Sequence, residues 1–110
     1  MLDKENRLQK NRDFRIIYRY GKSHAYRGFV FYYRKNRRQK GFRIGFSISK
    51  KTGKAVQRNL LKRRFKEACR KMADSFPLQY DYIFIIRKNA DKMSFKQVKE
   101  EIVMALKKVP

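Results

Sequence analysis

The stretch that decides the fold spans residues 43–71 and reads RIGFSISKKTGKAVQRNLLKRRFKEACRK. Its first part alternates apolar residues with small or polar ones, which predicts a β-strand over residues 42–49. Thr52-Gly53 predicts a turn, and the apolar spacing that follows predicts a helix over residues 55–73. The most apolar run, YDYIFIIR at residues 80–87, predicts a central strand. Strand, helix and strand in this order predict a βαβ crossover with two parallel strands.

The predicted helix has one apolar face and one strongly cationic face. On a wheel of about 100° per residue, its apolar cluster consists of Leu61, Phe65, Ala68 and Met72. The adjacent arc consists of Arg58, Asn59, Lys62, Arg63, Lys66 and Arg70. Residues 50–71 contain ten lysines and arginines but one acid, Glu67. Like charges four residues apart destabilise a helix by about 0.2–0.5 kcal/mol per pair, and a merely solvated face would alternate signs. This pattern favours a surface that binds a polyanion.

The composition points in the same direction. The chain has 110 residues, enough for one domain over residues 1–110, and its net charge is 31 − 9 = +22. Nucleic acid is the first candidate partner and an anionic membrane surface the second. The membrane alternative is weak, because the sequence has no long apolar run and no signal-peptide pattern. A single cysteine, Cys69, is typical of a reducing compartment, so we expect a cytoplasmic protein.

The rest of the chain supplies further elements around this stretch. Residues 1–10 are expected to form an extended arm, and Phe14, Ile17 and Tyr18 predict one face of a short helix. That face is either core or partly exposed for stacking on bases. Residues 23–35 alternate as a strand, which Gly28 divides into a short edge strand and a main one. A capping box formed by Ser94 and Gln97 predicts the start of a last helix.

One face of the predicted strand over residues 42–49 carries only small or polar side chains after Arg43. A low face with Gly45, Ser47 and Ser49 beside tall aromatic residues would form a trough. Such a face is either an ordinary solvated sheet surface or a groove for single-stranded nucleic acid, and the basic surroundings favour the groove.

Residues for protein-borne catalysis are missing from the sequence. The nine carboxylates are scattered, and the one histidine, His24, and the one cysteine offer neither a catalytic set nor metal-ligand spacing. The phosphate-binding loop of P-loop proteins is also absent. We therefore expect a binding module, or a subunit whose catalytic partner is another molecule.

The sequence KKTGKAVQRN at residues 50–59, continued by Lys62-Arg63 and Lys66-Glu67, resembles the signature of the bacterial ribonuclease P protein family. The family pattern is roughly K-K-x-G-x-A-V-x-R-N-R-x-K-R-x-x-R-E. The resemblance extends to RLQKNRDF at residues 7–14 and to DYI and RK at residues 81–83 and 87–88. It therefore covers nearly the whole chain.

The resemblance implies an α+β two-layer sandwich of the order α-β-β-β-α-β-α, similar to ribosomal-protein-like RNA-binding domains, with a left-handed crossover. It implies the protein subunit of an endoribonuclease that removes the 5′ leader from precursor tRNA. A catalytic RNA with Mg²⁺ carries out the reaction, and the protein holds no catalytic residue and no metal of its own. The partners are that RNA and precursor tRNA, with neither a membrane nor an obligate protein partner.

The family's functional positions map onto two groups of residues in this chain. The residues that the resemblance assigns to the catalytic RNA are Lys50, Lys51, Lys54, Arg58, Asn59, Lys62, Arg63, Lys66 and Arg70. Those that it assigns to the leader groove are Phe14, Tyr18, Tyr32, Ser47, Ser49 and Lys51.

The chain departs from the family signature at two positions. Leu60 stands where the family has arginine, so either one phosphate contact is lost or Arg64 supplies it. Lys66 also replaces an arginine, which keeps the charge but loses the bidentate fork.

Two other functions stay open at this point. A ribosomal or other structural RNA-binding protein would explain the charge but not the full signature, and a free-standing nuclease lacks acid–base or metal groups.

Overall fold

The apolar run predicted as a central strand lies inside a four-stranded sheet in the structure, a computed structural model that describes residues 3–110. In chain order the strands are β1 (Lys22–Ala25), β2 (Phe29–Lys35), β3 (Arg43–Ile48) and β4 (Tyr80–Ile86). Their spatial order is β1-β2-β4-β3. Strand β4 pairs antiparallel with β2 and parallel with β3, as the βαβ order predicts.

Three helices complete the described part of the chain: α1 (Asn11–Tyr20), α2 (Ala55–Lys71) and α3 (Phe95–Leu106). The predicted α+β class is confirmed, and the elements follow the predicted order. Helix α3 begins with the expected capping box, in which Gln97 N–H donates to Ser94 Oγ at 3.1 Å and Ser94 N–H donates to Gln97 Oε1 at 2.8 Å. The left-handed crossover stays a prediction of the resemblance.

The main core lies between one face of the sheet and helices α2 and α3. Alternation along β2 directs Phe29 and Phe31 to this face, where they pack against Phe84 of the central strand. Phe65 of α2 contacts Phe29 and Phe84 in the same layer, and all four rings are completely buried. Burial of each such side chain stabilises the fold by about 1.5–3 kcal/mol, so this cluster holds α2 firmly on the sheet.

The opposite face of the sheet is covered in part by α1. Ile17 of α1 packs with Leu8 and Ile83 in a second, smaller apolar cluster. Phe14, Tyr32 and Ile85 are half-buried against it. Of the two interpretations of the α1 face, the core therefore applies to Ile17, while the aromatic residues on either side keep exposed surface.

Several predicted boundaries differ from the structure by one or two residues; β3 begins at Arg43 and not at residue 42, and β4 ends at Ile86 and not at residue 87. Strand β3 ends at Ile48 and not at residue 49, because Ser49 adopts the capping position of the following 3₁₀ turn. Helix α2 ends at Lys71 and not at residue 73, because the backbone of Met72 leaves the helical region and a short 3₁₀ turn follows at Ala73–Ser75.

Candidate RNA-binding surfaces

The turn before α2 is held by local hydrogen bonds. Residues Lys50–Thr52 form one 3₁₀ turn, in which Ser49 Oγ accepts a hydrogen bond from Lys51 N–H at 3.2 Å. Arg58 Nη1 donates to the Gly53 carbonyl oxygen at 2.8 Å, which joins the turn to the first turn of α2. The exposed lysines of this segment are Lys50, Lys51 and Lys54. Arg58 is thus half-buried and partly structural, while the three lysines are free to meet a ligand.

The cationic arc of α2 faces solvent, as the helical wheel predicts. The opposite side of the helix buries Leu61, Phe65, Ala68 and Cys69. The arc residues Asn59, Arg63, Lys66 and Arg70 are exposed, and Lys62 is half-buried. Glu67 accepts two hydrogen bonds from Arg70, at 2.5 and 3.1 Å, and this pairing lowers the pKa of the Glu67 carboxyl. The acid therefore neutralises Arg70 and leaves the remaining arc strongly positive, a surface suited to a phosphate backbone.

Leu60 interrupts this arc with an apolar side chain that is 46% exposed. Leu60 is therefore not a core residue, and on the helical wheel it also lies away from the apolar cluster of α2. Arg64 does not supply the missing cation at this point, because its Nη1 donates to the Met93 carbonyl oxygen at 3.4 Å, toward the segment before α3. At this position the surface of α2 thus lacks the cation that the family signature has.

The predicted trough lies on the other face of the sheet, between α1 and β3. The ring of Phe14 rests directly on Gly45: a Cβ at that position would come within 2.5 Å of Phe14 Cζ and 3.0 Å of Leu8 Cδ2. A side chain at position 45 would therefore displace the aromatic wall. The small face predicted for β3 is what allows α1 to approach so closely.

Tyr18 is the most exposed of the three predicted groove aromatics, at 37%. It packs against Tyr32 in an edge-to-face contact with 5.0 Å between ring centroids, and against Phe14 at 6.2 Å. Partial burial raises the pKa of the Tyr18 hydroxyl, opposed by a hydrogen bond with the Ser47 side chain. Tyr18 thus bridges α1 and β3 and keeps part of its ring open for stacking.

The predicted groove residues do not all line one depression. Phe14, Tyr18 and Ser47 line it, and Tyr32 adjoins it through Tyr18. Ser49, predicted along the floor of the leader groove, follows the end of β3 and caps the turn, so it is not among the residues that line this depression; its role in leader binding stays a prediction. Lys51 likewise stands on the turn beyond the strand end.

Three further residues line the same depression: Asn11, Arg15 and Phe46. The sequence did not place the first two in the groove, because neither the family signature nor the apolar spacing of α1 marks them. It assigned Phe46 to the core face of β3. That ring does stack on Phe84, with centroids 5.8 Å apart, but β3 is an edge strand, so the ring also reaches the open side.

This chain is similar to known proteins over nearly its whole length. The model of the family described as Ribonuclease P matches residues 2–110. The chain belongs to the ribonuclease P protein family. A relative from Listeria welshimeri, the ribonuclease P protein component, is 42% identical over 106 residues, which are 96% of this chain and 89% of that protein.

Solved structures of ribonuclease P proteins have the same fold. The protein from Staphylococcus aureus is 42% identical with a TM-score of 0.81, over 94% of this chain and 96% of that one. The protein from Thermotoga maritima is 34% identical with a TM-score of 0.85, over 94% of this chain and 97% of that one. The chain is thus a protein component of ribonuclease P, in sequence and in fold.

The side chains considered above for catalysis or metal binding lie in the following environments. Within residues 3–110, no group of three or more histidine, cysteine or acidic side chains could hold a metal ion. Cys69 is completely buried, and burial raises the pKa of its thiol well above the usual range, which makes it a poor nucleophile. His24 stacks on Tyr33, with ring centroids 6.1 Å apart. These residues fit structural roles.

The described part of this ribonuclease P protein also contains no helix that is both long and apolar enough to span a membrane.

Proposed function

We propose that this ribonuclease P protein binds two RNA molecules on two separate surfaces. The turn at residues 50–54 and the cationic arc of α2 bind the catalytic RNA subunit, and the trough between α1 and β3 binds the 5′ leader of precursor tRNA. The observation that carries the proposal is the difference between these surfaces. The first presents cations with one neutralised arginine, whereas the second presents partly exposed aromatic rings over a low strand.

Each surface suits the nucleic acid assigned to it. A folded RNA offers closely spaced phosphates, which a stiff helix with several cations can meet together. A single-stranded leader offers unstacked bases, which stack on aromatic side chains such as Tyr18 at about 1–3 kcal/mol per base. Arg15, on the rim of the trough, is placed to pair with the backbone of a strand bound there.

The hydrolysis itself is assigned to the RNA subunit with its Mg²⁺. The donor set of the protein does not fit a metal site, since residues 3–110 bring no three ligands together. The task of these side chains is to hold the catalytic RNA and the leader in fixed relation, which raises the effective concentration of substrate at the reacting bond. We place this work in the cytoplasm, without an obligate protein partner.

Reconstitution tests the proposal. The protein is mixed with a bacterial ribonuclease P RNA and precursor tRNA at limiting Mg²⁺, and release of the leader is followed over time. We expect faster cleavage than with RNA alone, and no cleavage by the protein alone. Unchanged RNA activity would contradict the proposal and favour a structural RNA-binding role, and cleavage by the protein alone would point to a free-standing nuclease.

A further inference from the structure

A second depression of about 230 Å³ lies between residues 7–9, β3 and α2, at the border of the cationic arc. Residues before α1 form one wall. Leu8 N–H donates to the Ile44 carbonyl oxygen at 2.9 Å, and Asn6 Nδ2 donates to the Phe42 carbonyl oxygen at 2.8 Å. This segment therefore extends the sheet beyond β3. The extended arm predicted over residues 1–10 is confirmed only in part: residues 7–10 are not helical, Lys4–Asn6 form a 3₁₀ turn, and residues 1–2 lie outside the described residues.

The floor of this cavity is apolar and its rim is cationic. Leu8 and Ile44 are buried beneath it, and the half-buried ring of Phe46 forms a side. Lys62 and Lys66 of α2 stand on the opposite rim, one helical turn apart. Neither ammonium group has a carboxylate within ion-pair distance in the described residues 3–110.

Size and chemistry together indicate the ligand. The cavity is smaller than the roughly 300–1,000 Å³ of sites for drug-sized molecules, so one planar ring suits it better than a larger group. An apolar floor beside two lysines matches a nucleobase joined to a phosphate. A bare phosphate would use the lysines and leave the floor without a partner.

The cavity and the leader trough share Phe46 as a lining residue but are divided at Gly45. Leu8 and Phe14 meet over Gly45, where a Cβ would lie within 3.0 Å and 2.5 Å of them, respectively. This contact forms a wall between the two depressions, while the lysine rim belongs to the arc of α2. We propose that the cavity takes one unpaired nucleotide of the catalytic RNA subunit, with its base on the apolar floor and its phosphate on Lys62 and Lys66. The identity of that RNA rests on the proposed function.

A titration of the free protein tests the cavity without any assumption about the enzyme. Nucleoside 5′-monophosphates and ribose 5-phosphate are added separately, and backbone amide shifts are recorded by NMR. Both should shift Lys62 and Lys66, whereas the nucleotides alone should shift Leu8, Ile44 and Phe46. We expect nucleotides to bind about fivefold or more tightly than ribose 5-phosphate. Equal affinities, or nucleotide shifts confined to other parts of the protein, would overturn the proposal.

Site-directed crosslinking in the holoenzyme tests the source of the nucleotide. Since Cys69 is buried, Gln9→Cys provides the accessible thiol for a photo-crosslinker at the rim, and the exposed Leu78→Cys is a matched control. Position 9 should crosslink to one unpaired nucleotide of the catalytic RNA, and position 78 should not. Crosslinks to the leader, or to many sites equally, would overturn the assignment. Failure to assemble would count against the proposed function, and the titration would still decide on the cavity.

Discussion

Gly45 sets how closely α1 can approach the sheet. A methyl group there would come within 2.5 Å of the Phe14 ring, closer than real Cβ contacts allow. Gly45→Ala should therefore destabilise the fold by about 1–3 kcal/mol, as overpacking does, and should weaken leader binding as Phe14 moves. Urea unfolding measures the first effect. At Gly41 the nearest atom would be 3.6 Å away, so Gly41→Ala is the control, and equal stability of the two variants would contradict this role for Gly45.

Leu60 marks the residue-level difference between this chain and the family signature. Leu60→Arg should add one phosphate contact, which steepens the slope of log K against log salt concentration by about 0.7–0.9. Titration of the catalytic RNA at several salt concentrations measures this slope.

Val103→Arg is the matched control for that variant, because Val103 is a similarly exposed apolar residue (43% against 46%) on α3. It adds the same charge away from the arc. If both variants change the slope equally, the effect is one of net charge, and α2 is not the docking surface.

At the scale of elements, a buried ion-pair network joins α1 to the sheet. Asp81 of β4 is 3% exposed and accepts hydrogen bonds from Arg43 Nε at 2.9 Å and Nη2 at 2.8 Å, and from Asn36 Nδ2 at 2.9 Å. Arg43 also pairs with Asp13 of α1 at 3.3 Å. One guanidinium thus connects a helix and two strands. Its two carboxylate partners neutralise its charge, so Arg43 adds no free cation to the surface.

Removal of Asp81 should leave the half-buried Arg43 with Asp13 as its one remaining ion-pair partner in the described residues. Asp81→Ala is expected to cost about 3 kcal/mol, the low end for a broken buried pair, because Arg43 keeps some contact with solvent. Glu67→Ala breaks the solvent-exposed pair with Arg70 and should cost far less stability, because water screens that pair. Urea unfolding compares them, and similar losses would show that the Arg43 network does not hold α1.

The elements themselves could be predicted because they depend on local periodicity. The alternation in β2 and β3 and the apolar seam of α2 follow directly from residue spacing. The contacts between distant segments could not be predicted this way. Docking of Leu8 on Ile44 and pairing of Arg43 with Asp81 depend on backbone and side-chain partners far apart in sequence. For the same reason the sequence did not predict that Phe46 lines the trough, because its exposure depends on the position of β3 at the edge of the sheet.

On the scale of the whole molecule, β3 lies between the two proposed binding faces. The arc of α2 lies on one side of the sheet and the aromatic trough on the other, in a protein whose net charge is +22. The long-range field attracts RNA to both faces, so charge alone cannot distinguish catalytic RNA from leader. In the proposed function, that distinction depends on the aromatic rings, above all on Tyr18.

The most direct test of the two-surface account is therefore the ratio of holoenzyme affinities for precursor tRNA and mature tRNA. Tyr18→Ala should weaken precursor binding by about 5- to 150-fold and leave mature tRNA unaffected, while Tyr18→Phe keeps most of the ring contribution. Tyr20→Ala is the control, since Tyr20 is 64% exposed on the same helix but does not line the trough. The account predicts that Tyr18→Ala alone abolishes the preference for the leader. Equal losses for precursor and mature tRNA, or the same loss with Tyr20→Ala, would contradict it.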